Sequence, residues 1–350
     1  MENTGISRRR VLTWAAGLGV ALPSAGLLAA CGREETPANP SPTTLIKRVY
    51  QTAFGYNVGN CPEMVAREAG YFAELGIDCE VISSTGTSQA MSGLLTKATQ
   101  YSRFQSISAL ITVANEDAPF VAFGTPVQRS AFEMQSMAEN PIRDITDLEG
   151  KAVGVVSAGG TTEQLIDLMA VRAGIDPKSI ERKVTGLGVA AYQFAERGEV
   201  AAWVGSAAER EALNAAGMPV HAWNFDDVMP IPADSYITTR EEIEQNRDVV
   251  VRVLAGFYKA LVFVCDKAND AQTIEWIRKY NREITPDAAQ EQLDLVRELY
   301  LAKGQSNLMV MDVPAWEGMQ EALLQAGITN KEIDLSKVVY ADLLDEAKAL

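Results

Sequence analysis

The chain has 350 residues, of which 47% are apolar and 22% are charged, and its formal net charge is −15 at pH 7. This length allows two domains with sizeable cores, and the composition is that of a soluble globular protein. A nucleic-acid-binding protein needs a basic surface, so the acidic charge argues against that class. His221 is the only histidine, and without a cluster of His and Cys we expect no metal site and no cofactor.

Residues 1–30 have the features of an export signal. SRRRVL at 7–12 resembles a twin-arginine motif, residues 11–30 carry no charge, and LAAC at 28–31 resembles a lipobox. These features predict cleavage before Cys31, which then carries a lipid; the export route, twin-arginine or general, stays open. A single membrane-spanning anchor is the alternative, because the apolar run is just long enough. Residues 31–44 are rich in proline and predict a flexible tether.

Three further cysteines, Cys61, Cys79 and Cys265, follow the tether. An odd number outside the cytosol leaves at least one free thiol. A helix of roughly 14 residues is predicted between Cys61 and Cys79, and at about 1.5 Å per residue it would hold them too far apart for a bridge. We therefore expect all three to be reduced, with Cys265 in a core helix.

From residue 46 onward, short apolar runs alternate with helical patterns, which predicts parallel sheets with helices on both faces. The last third of the chain is predicted to be helical, and the apolar helix 249–265 to be buried. The predicted strands are 47–54, 78–83, 104–107, 119–123, 152–156, 183–185, 200–204 and 220–225. The predicted helices are 62–75, 89–99, 109–116, 161–174, 189–197, 208–216, 249–265, 272–280, 286–301 and 314–326.

Residues 151–174, KAVGVVSAGGTTEQLIDLMAVRAG, combine a buried strand, a glycine turn and a helix start. Gly159 and Gly160 allow a tight turn, and Thr161 with Gln164 fits a capping box. Free N–H groups at such a helix start can bind an anion. The alternative is a strand–helix connection that binds nothing, because the motif matches no phosphate-binding pattern.

Four stretches, in this order, resemble the periplasmic binding proteins for nitrate, sulfonates, taurine and thiamine precursors. They are PEMVAREAGYFAELGIDCEV at 62–81, IRDITDLEGKAVGVVSAGGTTEQ at 142–164, AERGEVAAWVGS at 195–206 and the long helix 249–265. The resemblance covers about residues 45–325. Residues 97–102 depart from the family pattern, which puts the lining of that edge in doubt.

The resemblance implies an α/β, two-lobed type II periplasmic-binding-protein fold. Two mostly parallel sheets flanked by helices would be joined by two crossover strands, with a ligand in the cleft between them. One lobe would comprise residues 45–127 plus 236–350 and the other residues 128–235. It also implies a small-molecule ligand and delivery to an ABC transporter permease.

Ligands of parallel sheets bind beyond the carboxyl ends of the strands, which selects six loops: 54–60, 83–87, 106–108, 157–162, 186–188 and 205–208. These loops are rich in small hydroxyl donors and glycines, which suit a sulfonate or carboxylate. Such residues are also simply common in loops. The candidate ligand-binding residues are Tyr56, Asn57, Ser84, Thr85, Thr87, Ser106, Ser157, Gly159, Gly160, Thr161, Thr162, Ser206 and Asp226.

Other side chains near these loops have open roles. Trp203 ends a strand and is equally well a core residue. Asp226 or Asp227 could pair with a ligand amine, or both could be solvated charges. Glu163 would repel an anion if it points toward the turn. His221 has no visible acid–base partner and is expected to be structural.

We expect a monomeric, lipid-anchored solute-binding protein of an ABC importer, exported and held at the membrane only through Cys31. Its ligand is expected to be an anion such as a sulfonate or carboxylate, and a neutral pyrimidine is the alternative. An enzyme on the same fold is a second hypothesis, but one histidine offers no nucleophile–base pair. A sensor or adhesion module is a third, which a neighbouring permease gene would argue against.

Overall fold

Ten strands in the described part of the chain form two five-stranded sheets. The computed structural model describes residues 44–228 and 231–350. Thr44–Leu350 forms one unit, and no helix among the described residues is long and apolar enough to cross a membrane. The predicted signal, most of the tether and the lipidated Cys31 lie outside the described residues.

The first sheet is built from strands at the start of the described chain and one strand from its middle. They are β1 (Ile46–Thr52), β2 (Ile77–Ser83), β3 (Tyr101–Gln105), β4 (Phe120–Gly124) and β10 (Asp234–Thr239). Their order is β2-β1-β3-β10-β4, and only β10 runs antiparallel to its neighbours. β3 and β4 are buried along their whole length, as expected for strands that helices cover on both faces.

The second sheet repeats this plan with the next five strands. They are β5 (Phe132–Met137), β6 (Ala152–Val155), β7 (Glu181–Val184), β8 (Ala202–Ser206) and β9 (Val220–Asn224). Their order is β7-β6-β8-β5-β9, and β5 is antiparallel to β8 and β9. We call each sheet with its helices a lobe. Two connections join the lobes, one into β5 and one into β10, so the predicted fold with two mostly parallel sheets and two crossover strands is confirmed.

Helices surround both sheets. They are α1 (Cys61–Glu68), α2 (Tyr71–Glu74), α3 (Thr87–Leu95), α4 (Ser106–Glu116), α5 (Thr161–Arg172), α6 (Val189–Glu196), α7 (Ala207–Ala215), α8 (Phe225–Val228), α9 (Arg240–Cys265), α10 (Asp270–Tyr280), α11 (Pro286–Tyr300), α12 (Val313–Gln325) and α13 (Leu343–Lys348).

The long helix α9 forms the centre of the first lobe's core. Phe257 is fully buried, stacks on Tyr236 of β10 at 4.2 Å between ring centroids, and meets Phe72 edge-on at 5.4 Å. A Cβ on Gly256 would lie 2.6 Å from the Phe72 ring, so only glycine lets this ring pack on the helix. The crossover strand β10 is therefore anchored to the most buried helix.

Several predicted elements have different bounds, and two of these differences have a clear local cause or consequence. The helix predicted over 62–75 divides into α1 and α2, because Gly70 adopts φ +81° between them. The strand predicted over 104–107 ends at Gln105, and α4 begins at the next residue. Ser106 is thus the first residue of a helix rather than part of a loop.

Among the strands and α-helices of the described chain, β5, α8, β10 and α13 were not predicted. In β5, Phe132 and Met134 alternate with Glu133 and Gln135, and all four are buried. The polar pair is satisfied by distant partners, since Glu133 forms an ion pair with Arg210 and Gln135 accepts from the Trp203 indole. Burial of this kind depends on partners far along the chain, so the local pattern does not reveal it.

The prediction that the cysteines are reduced is confirmed. Cys61, Cys79 and Cys265 are free, with the first two buried and Cys265 half-buried at the end of α9. Burial raises the pKa of the Cys79 thiol to about 12 and that of Cys265 to about 11. Each thiol is therefore protonated at neutral pH and inert as a nucleophile.

Candidate ligand site between the lobes

A cavity of 780 Å³ lies between the two lobes and takes its walls from both. It opens at the carboxyl ends of β1, β3, β8 and β9, where ligands of parallel sheets bind. Two further cavities, of 770 and 720 Å³, lie at the opposite edge of the second sheet and against α12, within one lobe each. First-lobe wall residues include Phe54, Asn57, Asn60, Arg103, Asp234, Val296, Glu298 and Tyr300; second-lobe ones include Arg129, Phe132, Glu133, Leu187, Ser206, Ala208, Glu209, Arg210, His221, Trp223 and Asp227.

Aromatic rings from both lobes line the cavity. Phe54 follows β1 and meets Phe132 of β5 edge-on, with 5.8 Å between the ring centroids. Tyr300 of α11 is buried and donates its hydroxyl hydrogen bond to the Gly59 carbonyl at 2.8 Å. Trp223 of β9 is half-buried and donates from Nε1 to the Ile142 carbonyl at 3.2 Å. The rings of Tyr300 and Trp223 are therefore held in place by their polar atoms.

A buried charge cluster forms the floor of the cavity in the first lobe. Arg103 of β3 has only 3% of its side chain exposed and forms an ion pair with the fully buried Glu63 at 2.9 Å. The Asp234 carboxylate lies 3.8 Å from Arg103 Nε and accepts a hydrogen bond from Gln105 Nε2 at 2.7 Å. The Arg103 guanidinium therefore lies close to two carboxylates at this floor, those of Glu63 and Asp234.

The electrostatics of this cluster follow from burial and charge proximity. Burial raises the pKa of Asp234, while the nearby Arg103 opposes that shift. Burial acts to lower the pKa of Arg103, but the carboxylate of Glu63 and other neighbours hold it well above the ordinary value. Arg103 also donates to Asn60 Oδ1 at 2.9 Å and to the Gly59 carbonyl. The Nη2 atom thus has protein partners, whereas Nε has no hydrogen-bond partner among the described residues.

The second lobe contributes its own paired charges at the start of α7. Arg210 binds Glu133 at 2.9 Å and Glu211 at 2.7 Å. Ser206 and Glu209 form a capping box: the Ser206 backbone N–H donates to Glu209 Oε2 at 2.8 Å, and Ser206 Oγ accepts from the Glu209 N–H. Burial raises the pKa of Glu209 to about 7, although its hydrogen bonds with Ser206 oppose the shift.

At one edge of the cleft, three hydroxyl groups from the two lobes meet in a seam formed by Thr87, Ser108 and Thr161. Thr161 Oγ1 lies 2.7 Å from Ser108 Oγ and 3.1 Å from Thr87 Oγ1, and all three side chains are buried. Ser88 Oγ also donates to the Ala158 carbonyl at 3.1 Å. The glycine turn of the second lobe therefore contacts the first lobe directly.

The capping box predicted for Thr161 and Gln164 is wrong. The cap of α5 is Gly160, with no side-chain hydrogen bond, and Thr161 is the first helical residue. Its hydroxyl is taken by the other lobe, which explains why it does not cap its own helix. Glu163 reaches back and accepts a hydrogen bond from the Gly159 N–H at 2.6 Å, so a carboxylate of the protein itself occupies this turn.

Asn57 and Ser206 are the predicted ligand-binding residues that line the cavity. Asn57 Nδ2 donates to the Phe54 carbonyl at 2.8 Å, which holds the loop after β1 in shape. Loops 186–188 and 205–208 reach the cavity through Leu187 and the start of α7. Thr87, Thr161 and Gly160 lie at the seam, and Ser157 lies beside Gly86 there.

The remaining predicted residues are held by their own lobes. Their contacts are with backbone groups or neighbouring side chains. Tyr56 donates to the Val81 carbonyl and contacts Tyr280, Ser84 donates to the Thr52 carbonyl, Thr85 contacts Gln89, Ser106 donates to the Ala233 carbonyl, Thr162 accepts from the Val156 N–H, and Asp226 accepts from the Ser130 N–H.

Several cavity residues were missed by sequence reasoning, above all Arg103, Glu133 and Asp234. Each lies in a strand rather than in a loop: Asp234 is the first residue of β10, and Glu133 is the second residue of β5, the two unpredicted strands. Arg103 lies between Ser102 and Phe104 in a strand whose five residues are YSRFQ, so its local sequence contains no clear signal of burial. Trp203, whose role was open, is a fully buried core residue, and His221 lies in the cavity wall.

The two lobes, two crossover strands and interlobe cavity define the class of periplasmic binding proteins. The family model described as NMT1/THI5 like matches residues 57–271, more than half of the chain. The chain therefore belongs to the NMT1/THI5-like family. No curated protein matches it significantly.

Solved structures with low sequence identity have the same fold. The periplasmic aliphatic sulphonate-binding protein SsuA from Escherichia coli has a TM-score of 0.64 at 16% identity, covering 87% of this chain and 100% of that chain. The periplasmic nitrate-binding protein NrtA from Synechocystis has a TM-score of 0.68 at 13% identity, covering 87% and 88%. The desulfurization enzyme DszB also matches, with a TM-score of 0.57 at 13% identity, covering 86% and 98%.

Proposed function

We propose that this protein is the solute-binding component of an ABC importer, which captures one small molecule between its lobes and delivers it to a permease. The observation that carries this proposal is the 780 Å³ cavity, to which both lobes contribute walls at the carboxyl ends of their strands. A ligand in this position contacts both lobes at once, so binding favours the closed arrangement that a permease can recognise. The protein acts as a monomer in this proposal.

An enzymatic role has less support. The fold also occurs in the desulfurization enzyme DszB, so fold alone does not decide. His221, the single histidine, has no side-chain hydrogen bond with a carboxylate among the described residues. The three described thiols lie outside the cavity wall or are buried. The cavity wall therefore offers no histidine-activated nucleophile, and its hydroxyl–carboxylate pair, Ser206 with Glu209, forms the capping box of α7.

Two ligand classes are candidates: an oxygen-rich anion and a molecule that presents N–H donors. Sulfonate and nitrate are bound by relatives of this fold, and an oxygen-rich anion was the expectation from the turn 157–162. In the structure, Glu163 already accepts from the Gly159 N–H of that turn, and Ser108 of the first lobe contacts the Thr161 hydroxyl. A ligand that presents N–H donors, such as an amino-substituted pyrimidine, suits the carboxylates of the cavity better. We therefore place the ligand against the cavity walls rather than on the turn.

The lipid anchor is a separate part of the proposal. The LAAC sequence at 28–31 and the preceding charge-free run support lipidation of Cys31. Cys31→Ser removes the acceptor thiol, so we expect the variant to leave the membrane fraction or to remain as an uncleaved precursor. Membrane fractionation and intact mass measure this. Fractionation and mass identical to those of the wild type would contradict the lipid anchor.

Small-angle scattering tests the binding proposal itself. A thermal-shift screen of sulfonates, taurine, nitrate, aromatic carboxylates and pyrimidines identifies a ligand, and isothermal titration gives its stoichiometry. We expect one ligand per chain and a smaller radius of gyration with ligand than without it, as hinge closure requires. Saturable binding with an unchanged radius would contradict closure around the ligand.

A further inference from the structure

The charges of the cavity wall indicate the sign of the ligand. We propose that the cavity binds a small organic cation whose protonated nitrogen contacts the Asp234 carboxylate. This inference rests on the proposed binding function and extends it to a chemical class. It departs from the sulfonate or carboxylate that the sequence led us to expect.

The arginines of the cavity wall already have acidic partners. Arg129 pairs with Asp227 at 2.6 Å and Arg210 pairs with Glu133 at 2.9 Å. Arg103 forms an ion pair with Glu63 at 2.9 Å, and its Nε lies 3.8 Å from the Asp234 carboxylate. No lysine lines the cavity within residues 44–228 and 231–350. An anionic ligand would therefore have to compete with a protein carboxylate for every guanidinium it approached.

Acidic side chains outnumber basic ones in the cavity wall. Arg103, Arg129 and Arg210 face five acidic residues in the wall: Glu133, Glu209, Asp227, Asp234 and Glu298. Glu63 lies behind the wall and takes a large share of Arg103. Charges in a recessed cleft with low-dielectric walls focus their field into it, so this imbalance attracts cations and repels anions.

The geometry at Asp234 leaves one carboxylate oxygen available for a ligand. This residue begins the crossover strand β10 and lines the cavity. One carboxylate oxygen accepts from Gln105, while the other lies 3.8 Å from Arg103 Nε, beyond hydrogen-bond distance. That second oxygen can accept from a ligand N–H, which would complete the neutralisation of Glu63, Arg103 and Asp234.

The aromatic wall supports the same class. Phe54, Phe132, Trp223 and Tyr300 surround the cavity. Ring faces attract cations within about 6 Å, and flat ring walls accommodate a planar amidinium or an aromatic amine. The aromatic wall and the Asp234 carboxylate therefore both favour a cationic ligand.

The test compares molecules that share a carbon skeleton and differ in charge. We would titrate the purified protein with benzamidine, benzamide and benzenesulfonate, and with 5-aminomethylpyrimidine, pyrimidine-5-carboxamide and pyrimidine-5-sulfonate. In at least one set, the cation should bind at least tenfold more tightly than its neutral and anionic counterparts. Tighter binding of an anion would overturn the inference and leave the proposed binding function intact. No binding of any member would also overturn the inference, whereas the proposed binding function is tested separately by the wider thermal-shift screen.

A variant locates the effect. Asp234→Asn keeps an oxygen that can accept from Gln105 and removes the charge, so affinity for the cation should fall at least tenfold. Asp248→Asn, at an exposed position with 77% of its side chain accessible on α9, is the matched control and should bind like the wild type. Wild-type affinity in Asp234→Asn would overturn the assignment. If that variant does not fold, the wild-type preference among the charge-matched molecules still decides the question.

Discussion

At the scale of single residues, the position of a side chain's partners determines its role. Thr161 has the residue type of a helix cap, but it is the first helical residue of α5, and its hydroxyl bonds to Ser108 and Thr87 of the other lobe. Thr162 also has a buried hydroxyl, but it accepts from the Val156 N–H within its own lobe. Thr161 therefore contributes to the contact between the lobes, and the adjacent Thr162 contributes to hydrogen bonding within its own lobe.

Thr161→Val tests whether the seam contributes to closure. Valine keeps the shape and removes the hydroxyl, so the hydrogen bonds with Ser108 and Thr87 are lost. Neutral hydrogen bonds contribute roughly 0.5–1.5 kcal/mol each, so affinity for the ligand should fall about tenfold. Thermal stability of the ligand-free protein should change little. Titration calorimetry and thermal unfolding measure the two effects.

The matched control is Thr112→Val, which also removes a buried hydroxyl but one that bonds to the Ser108 carbonyl inside α4. This control should keep the wild-type affinity. Equal affinities in Thr161→Val and wild type would show that the seam plays no part in binding.

Residue types in loops predicted only a small part of the candidate site. Asn57 and Ser206 line the cavity, whereas the hydroxyl groups of Ser84 and Ser106 donate hydrogen bonds to backbone carbonyls. Composition shows that a donor exists but not which way it points. Arg103 and Asp234 escaped notice for a related reason: their burial depends on each other and on Glu63.

At the scale of elements, strand and helix starts position the site. β5 and β10 each begin at the cavity and place an acidic residue there, Glu133 and Asp234. The helix α7 begins in the same wall, and its capping box holds the Glu209 carboxylate against Ser206. Long periodic segments such as α9 were predictable from sequence. The crossover strands were not, because their buried polar residues are satisfied only in three dimensions.

Glu209→Gln tests the strain at the start of α7. Folding raises the Glu209 pKa from 4.5 to about 7, so the folded protein binds more protons between these values and loses stability as pH rises through them. Glutamine also accepts in a capping box but carries no charge. The variant should therefore be more stable than wild type at pH 8, by on the order of 1 kcal/mol for this partly exposed group, and equal to it at pH 4.5.

Urea unfolding at both pH values measures this difference. Because both proteins share all other titrating groups, the comparison isolates residue 209. A variant that is less stable than wild type by the same amount at both pH values would show that the carboxylate contributes as a hydrogen-bond acceptor and is not strained.

At the scale of the whole molecule, the two lobes are alternating α/β units whose carboxyl edges face a shared cavity. This arrangement follows from βαβ alternation and could be predicted, since parallel strands all end at the same edge. The charge of the cavity could not, because it arises from residues as far apart in sequence as Glu63 and Asp234. The fold therefore indicates where a ligand binds, and the wall indicates which kind.

The central claim is that one small molecule binds between the lobes, and filling the cavity tests it most directly. Ala208 lines the cavity near the start of α7, whereas Ala212 lies on the exposed side of the same helix. Calorimetric titration of the tightest ligand found above should give one site in wild type and in Ala212→Trp, with similar affinity. Ala208→Trp, with an unchanged fold, should bind at least tenfold more weakly. Wild-type affinity in Ala208→Trp would contradict binding in this cavity.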